Sequence, residues 1–184
     1  MEDTVLSVLC DKLWAKDADA GCSMKFRKDG TGDILCAREL SVFIDSEFEW
    51  KLQQGSASLS RAMDASQDSS AELHIELTIT KRPSTSRIER LGADAYKFDD
   101  DFFSDEVFLP KSYTVRLEKG RISVNSSGYT WWYGLRLVFD KSPYPPPELW
   151  NKRRGAAEGN LFHERIDFYA EALETIHPDG HRIY

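Results

Sequence analysis

The chain is poor in cysteine: Cys10, Cys22 and Cys36 are the only three in 184 residues, and they form neither a CxxC pair nor a set matched with histidines. Structural zinc and dithiol motifs are thereby left out, and three reduced, buried thiols in a cytosolic protein are the simplest reading. Long hydrophobic runs are also missing, and none approaches the roughly 20 residues that span a bilayer. The first eleven residues open on acids and lack the basic start of a secretory leader. Positive charge is in the minority, with 24 Lys and Arg against 31 Asp and Glu for a net charge of −7. Such a field repels nucleic acid and anionic headgroups, so neither nucleic acid nor membrane is expected as a partner. There is no Gly-x-Ser-x-Gly elbow, no phosphate-cradling glycine loop and no dinucleotide fingerprint, so no cofactor is expected.

What the chain does have is apolar and aromatic material. Hydrophobic residues make up 41% and charged residues 30%, with 5 Trp, 7 Tyr and 10 Phe. That balance can bury enough surface to offset the ordering entropy, and the length suits one domain over residues 1–184. Flat, rigid aromatics serve both sheet cores and pocket walls.

The hydrophobic pattern has mostly period two. Val5, Leu6, Leu9, Leu13 and Trp14 are spaced for a short N-terminal amphipathic helix. The stretch 23–28 alternates into Asp29-Gly30-Thr31-Gly32, a tight-turn signal, and the pattern resumes over 34–40, which makes a hairpin. Val42, Ile44, Phe48, Trp50 and Leu52 oppose Asp45, Glu47, Glu49 and Lys51 on the next strand. Residues 53–70 read as an exposed loop with room for a helical stretch over 59–63. Leu73, Ile75, Leu77 and Ile79 then alternate with His74, Glu76, Thr78 and Thr80 in a strand expected to stop before Pro83.

Residues 84–110 read as a long, partly ordered excursion. Tyr113, Val115 and Leu117 lead to Lys119-Gly120, and Ile122 and Val124 follow, a pattern expected to form a second hairpin. Asn125-Ser126-Ser127-Gly128 marks the next turn, and Trp131 to Phe139 alternate again. Pro143 to Pro147 must leave the ladder as polyproline-like coil. Phe162, Glu164, Ile166 and Phe168 fit a closing strand, although 161–173 also suits a helix.

Seven or eight short strands with tight turns and no βαβ alternation predict an all-β fold, an antiparallel up-and-down barrel of about eight strands. Closing the meander removes aggregation-prone edges and leaves room for packed side chains or one small ligand. Trp14 before the first strand, the strand with Phe26, the Asp29-Gly30-Thr31-Gly32 turn and the long strand with Phe48 and Trp50 together resemble the opening of lipocalin-like proteins of the calycin superfamily. Lys12-Leu13-Trp14 stands where lipocalins proper carry Gly-x-Trp. Phe139-Asp140 and Ser142-Pro143-Tyr144-Pro145-Pro146 are similar to a group of small uncharacterised fungal proteins. The resemblance implies a closed barrel around a pocket for a small apolar molecule. Trp14 would plug its base, with Arg136 or Arg165 over the indole ring.

The inward parities put Phe26, Phe48, Trp50 and Ile75 on the wall of that pocket as ligand-binding residues. Leu77, Val115, Trp131 and Leu135 complete the set, with Ile44 beside them. An aromatic, terpenoid or acyl molecule suits such a wall, and a barrel filled by the same side chains is the competing expectation. A second reading is a cofactor-free cyclase or isomerase in the same pocket, with Tyr113, Tyr133 and Glu164 moving protons and pocket shape supplying orientation. A third is a non-catalytic protein-interaction domain that uses Pro143 to Pro147 or the 84–110 excursion.

His74 and Glu76 share a strand face but oppose the apolar parity, which puts them outside. His163, His177 and His181 do not complete a metal shell, so no metal is expected there. The acids Asp99 to Asp101, Asp105 and Glu106 lack calcium-loop spacing; they read as a solvated loop, with Phe102, Phe103 and Phe108 suited to a lid over the barrel mouth.

Overall fold

The computed structural model describes residues 4–16, 21–38, 41–54, 69–92, 99, 101–126, 128–176 and 182–183. After a short helix, α1 (Val5–Leu9), come β1 (Trp14–Ala15), β2 (Cys22–Phe26), β3 (Thr31–Arg38), β4 (Ser41–Leu52) and β5 (Ser69–Pro83). Helix α2 (Thr85–Leu91) and a 3₁₀ turn, Asp105–Phe108, precede β6 (Lys111–Ser126) and β7 (Tyr129–Phe139). Helix α3 (Arg154–Asn160), β8 (Asp167–Ile176) and β9 (Arg182–Ile183) complete the described chain. Each strand pairs antiparallel with the next in sequence, and β1 also pairs with β8 through Ala15 and Tyr169. The sheet is therefore a closed, barrel-like ring in up-and-down order, as its alternation predicts.

The alternating burial of β3 and β5 shows which face is inward. Ile34, Phe48, Leu73, Leu117 and Leu137 are wholly buried and belong to one core cluster with Trp14, Met24 and Phe168. Gly30 closes the β2–β3 hairpin with φ +85, the left-handed conformation that makes glycine the turn residue. Gly32 is required by space: a Cβ there would lie 2.2 Å from Phe48 Cζ and 2.5 Å from the Lys25 carbonyl oxygen.

Both ends of the ring are covered. At the end nearer the β2–β3 turn, α1 buries Val5, Val8 and Leu9. Its first turn is fixed by a reciprocal Thr4–Ser7 capping box. Trp14 is fully buried, and its indole N–H donates to the Leu9 carbonyl at 2.9 Å. At the opposite end, the segment before β6 and the segment after β7 meet each other. Ser104 N donates to Leu149 O at 2.9 Å, Asn151 N donates to Phe102 O at 3.1 Å, and Trp150 stands 4.9 Å from Phe103 ring to ring. The proline-rich coil is pinned by Trp150 Nε1 on Pro145 O at 3.0 Å and by the Tyr144 hydroxyl on Leu35 O at 2.7 Å.

Several expectations are corrected. Lys119-Gly120 is no turn: β6 runs unbroken through it, with a register shift between Lys119 and Ile122 that marks a bulge. Strand β5 continues to Pro83, which sits at its end, opposite Ser46. The closing strand begins at Asp167; Phe162–Glu164 is a 3₁₀ turn, and Ile166 is exposed. Val42 is 42% exposed despite its parity, because a shift between Cys36 and Ala37 breaks the β3–β4 register. Asp45, assigned to the wet face, is buried beneath α2. Arg136 lies over the Tyr169 ring at 5.9 Å, and the polar contact of Trp14 is Leu9. The suggested helix over 59–63 lies outside the described residues.

Candidate functional site

The side chains assigned to the pocket wall converge, and they do so by packing on one another. Phe26 meets Phe48 edge-on at 5.1 Å and Trp50 at 5.4 Å. Phe26 and Phe48 are fully buried, and Ile75, Leu77, Val115 and Leu135 nearly so. Ile44 is buried with them. Edge-to-face contacts of this kind add to area burial and favour one arrangement of rings. Trp50 Nε1 finds the carbonyls of Arg27 and Thr31, both at 3.1 Å, so its polar atom turns toward the hairpin.

Trp131 differs from the rest of the set. Beyond the β6 bulge, the face that is buried at Val115, Leu117, Leu135 and Leu137 continues onto Ile122, Val124 and Trp131, all only half-buried. Val124 pairs with Trp131, and Ile122 with Tyr133. The apolar face of the ring thus runs out onto the β6–β7 hairpin. Tyr129 stands 6.3 Å from Trp131 there.

The three candidates for proton transfer have separate surroundings. Tyr113 is buried against Phe139 at 5.6 Å, and burial, reinforced by Asp140, pushes its hydroxyl up to about 12. Tyr133 stacks on Tyr169 at 5.1 Å, outside the main core cluster. The Tyr169 hydroxyl donates to Asp167, which also takes Lys16, and Arg136 lies 3.6 Å from the same carboxylate. Glu164 is exposed on its 3₁₀ turn, 4.0 Å from His163 Nε2. Scattered hydroxyls and a solvated carboxylate give no shared acid–base pair.

His74 and Glu76 face outward: His74 Nδ1 lies 3.3 Å from Thr114 Oγ1, and Glu76 pairs with Lys51 at 2.8 Å. Of the acidic loop, Asp99 takes Lys152 on both oxygens at 2.8 Å and Asp105 meets Lys81 at 3.4 Å. Among the described residues no three metal-ligating side chains converge. His177 and His181 lie outside the described residues.

Hollows mark the surface of the described residues. One of about 560 Å³ runs under α2, between Asp33, Asp45, Ser84 and Glu89. Sequence reasoning missed its framework: Ser84 caps α2 and donates to Asp45, Arg87 reaches Asp45 at 3.2 Å, and Thr85 N donates to Asp33 at 3.0 Å. The Ser-Thr-Ser run at 84–86 is a helix N-terminus signal that could have marked it. Another hollow, of about 400 Å³, lies between the end of α3 with the turn that follows it and the residues Lys16 and Arg38. No helix in the described residues is long and apolar enough to cross a membrane.

Compared with protein-family models, with curated proteins and with solved structures, the chain matches none. The barrel-like ring and its aromatic clusters define a fold compatible with ligand binding.

Proposed function

We propose that the chain is a non-catalytic binding protein for a small hydrophobic molecule, of aromatic, terpenoid or acyl type, in the manner its resemblance to lipocalin-like calycins implies. The buried Trp14 behind an N-terminal helix and the closed up-and-down ring support that reading. The observation that carries it is the inward apolar face that emerges, half-buried, at Ile122, Val124 and Trp131. The ligand meets the protein where this face leaves the packed interior, with Trp131 as its flat contact. The cyclase or isomerase reading draws less support, because Tyr113, Tyr133 and Glu164 do not face one reacting centre.

Titration with the neutral fluorophore N-phenyl-1-naphthylamine tests the proposal. Saturable binding is expected, weakened at least tenfold by Trp131→Ala and unaffected by Tyr113→Phe. Failure to saturate, or equal binding by Trp131→Ala, overturns it.

A further inference from the structure

Arg165 stands between the last 3₁₀ turn and β8, and its Nε is buried with no hydrogen-bond partner. Among the described residues its guanidinium has no carboxylate or carbonyl acceptor at all. A half-buried cation in that state is costly, since it has given up water without gaining a counter-charge. Other cations of this fold are matched: Arg27 with Asp33, Arg87 with Asp45, Arg82 with Glu47 and Glu49.

Arg165 lines the hollow of about 400 Å³, and so do Lys16 and Arg38. Arg38, at the end of β3, is exposed and likewise has no ion-pair partner among the described residues. Lys16 is shared with Asp167. Among the described residues the one acid on the wall is Glu164, whose side chain is 61% exposed to water. Two guanidinium groups without an ion-pair partner among the described residues thus border one concavity in a chain whose net charge is −7.

The backbone around the hollow is strained in keeping with a site. Leu161, on the same wall, is a non-glycine residue with φ 52 and ψ 38. Side chains other than Gly, Asn and Asp seldom adopt this conformation, and it persists where the surroundings enforce it. Asn160 beside it is held by its amide on Ala156 O at 2.8 Å. On its inner side, burial raises the Tyr144 hydroxyl and the Cys36 thiol, while the Arg165 charge acts against that rise. The guanidinium therefore stands near Tyr144, at the end of the ring covered by the proline-rich coil.

We infer that this hollow is a binding site for a phosphate group borne on a small molecule, gripped by Arg165 and Arg38. Guanidinium forks match tetrahedral oxyanions through paired N–H donors, and two of them oppose a dianion. A 400 Å³ hollow is larger than a bare phosphate ion needs, so the carbon body of a monoester fills the remainder along Gly159 and Leu161.

Calorimetric titration of the full chain with glycerol 3-phosphate, inorganic phosphate and glycerol, at one ionic strength, tests this. The expected order is glycerol 3-phosphate tighter than phosphate, with glycerol silent. Arg165→Gln and Arg38→Gln should each weaken glycerol 3-phosphate at least tenfold. Arg165→Lys should lose less than Arg165→Gln, and Arg116→Gln, an exposed cation on β6 that does not line the hollow, should change nothing. Arg38 is exposed, so its variant keeps the test decisive even if Arg165→Gln does not fold. Absence of binding, equal binding of phosphate and the monoester, an unaffected Arg38→Gln, or equal weakening in Arg116→Gln overturns the inference.

Discussion

Cys22 on β2 and Cys36 on β3 stand directly opposite each other in the register, both facing the core, and their thiols share a hydrogen bond. Burial is the main cause pushing the Cys36 thiol far up, and the neighbouring Cys22 adds to it. Cys10 is raised to about 11, first by burial and then by Asp11. The thiolate is the reactive form, so none of the three should react in the folded protein. Treatment with iodoacetamide at pH 8 should leave the native chain unmodified and add three groups in urea, one for each free cysteine. One group added before unfolding would refute this.

Gly32 faces Phe48 across the β3–β4 pair. A methyl at position 32 would collide with a fully buried ring and with the Lys25 backbone, so the strands must part. Gly32→Ala should cost about 1–3 kcal/mol, the usual penalty of overpacking a tight core. Urea unfolding measures it, and an unchanged midpoint would show that the packing of Gly32 against Phe48 and Lys25 is looser than this geometry requires.

Ser84 ties α2 to the ring through two bonds, accepting from Arg87 N at 3.1 Å and donating to Asp45. Ser84→Ala removes a helix cap and strips a donor from a buried carboxylate. A loss of about 1–3 kcal/mol is expected. Ser84→Thr, which keeps the hydroxyl, should recover most of it; if both variants unfold alike, the hydroxyl is not what matters.

The strands are legible in the sequence because burial on one face imposes period two, and Leu73 to Ile79 or Leu135 to Phe139 show it without interruption. The closure of β1 on β8 is foreseen only in outline, because two residues carry too little pattern to reveal their partners. Lys119-Gly120 misleads because a glycine beside a lysine looks the same at a bulge as at a turn; the difference lies in whether the partner strand continues opposite. The covering of the far end by Phe103 and Trp150 depends on two segments far apart in the chain, and no local spacing encodes such a meeting. The sequence marks Arg165 only as a cation for Trp14, because the lack of an acceptor for its Nε among the described residues is a property of three-dimensional neighbours alone.

Alkali should unfold the protein through its tyrosines. Tyr113 is raised to about 12 by burial and by Asp140; Tyr144 and Tyr169 are also raised, chiefly by burial. The folded state therefore holds these protons more tightly than the unfolded chain, whose tyrosines titrate near 10. Their contribution is present in full below pH 10 and is lost as pH rises from about 10 through 12. Unfolding midpoints should be flat from pH 8 to 9 and then fall steeply. Tyr113→Phe removes one of the three groups without removing its contact to Phe139, so its midpoint should fall less steeply over the same range. An identical slope in the variant and the parent would mean that Tyr113 is hydrated in the folded state, and the buried place assigned to it on β6 would be wrong.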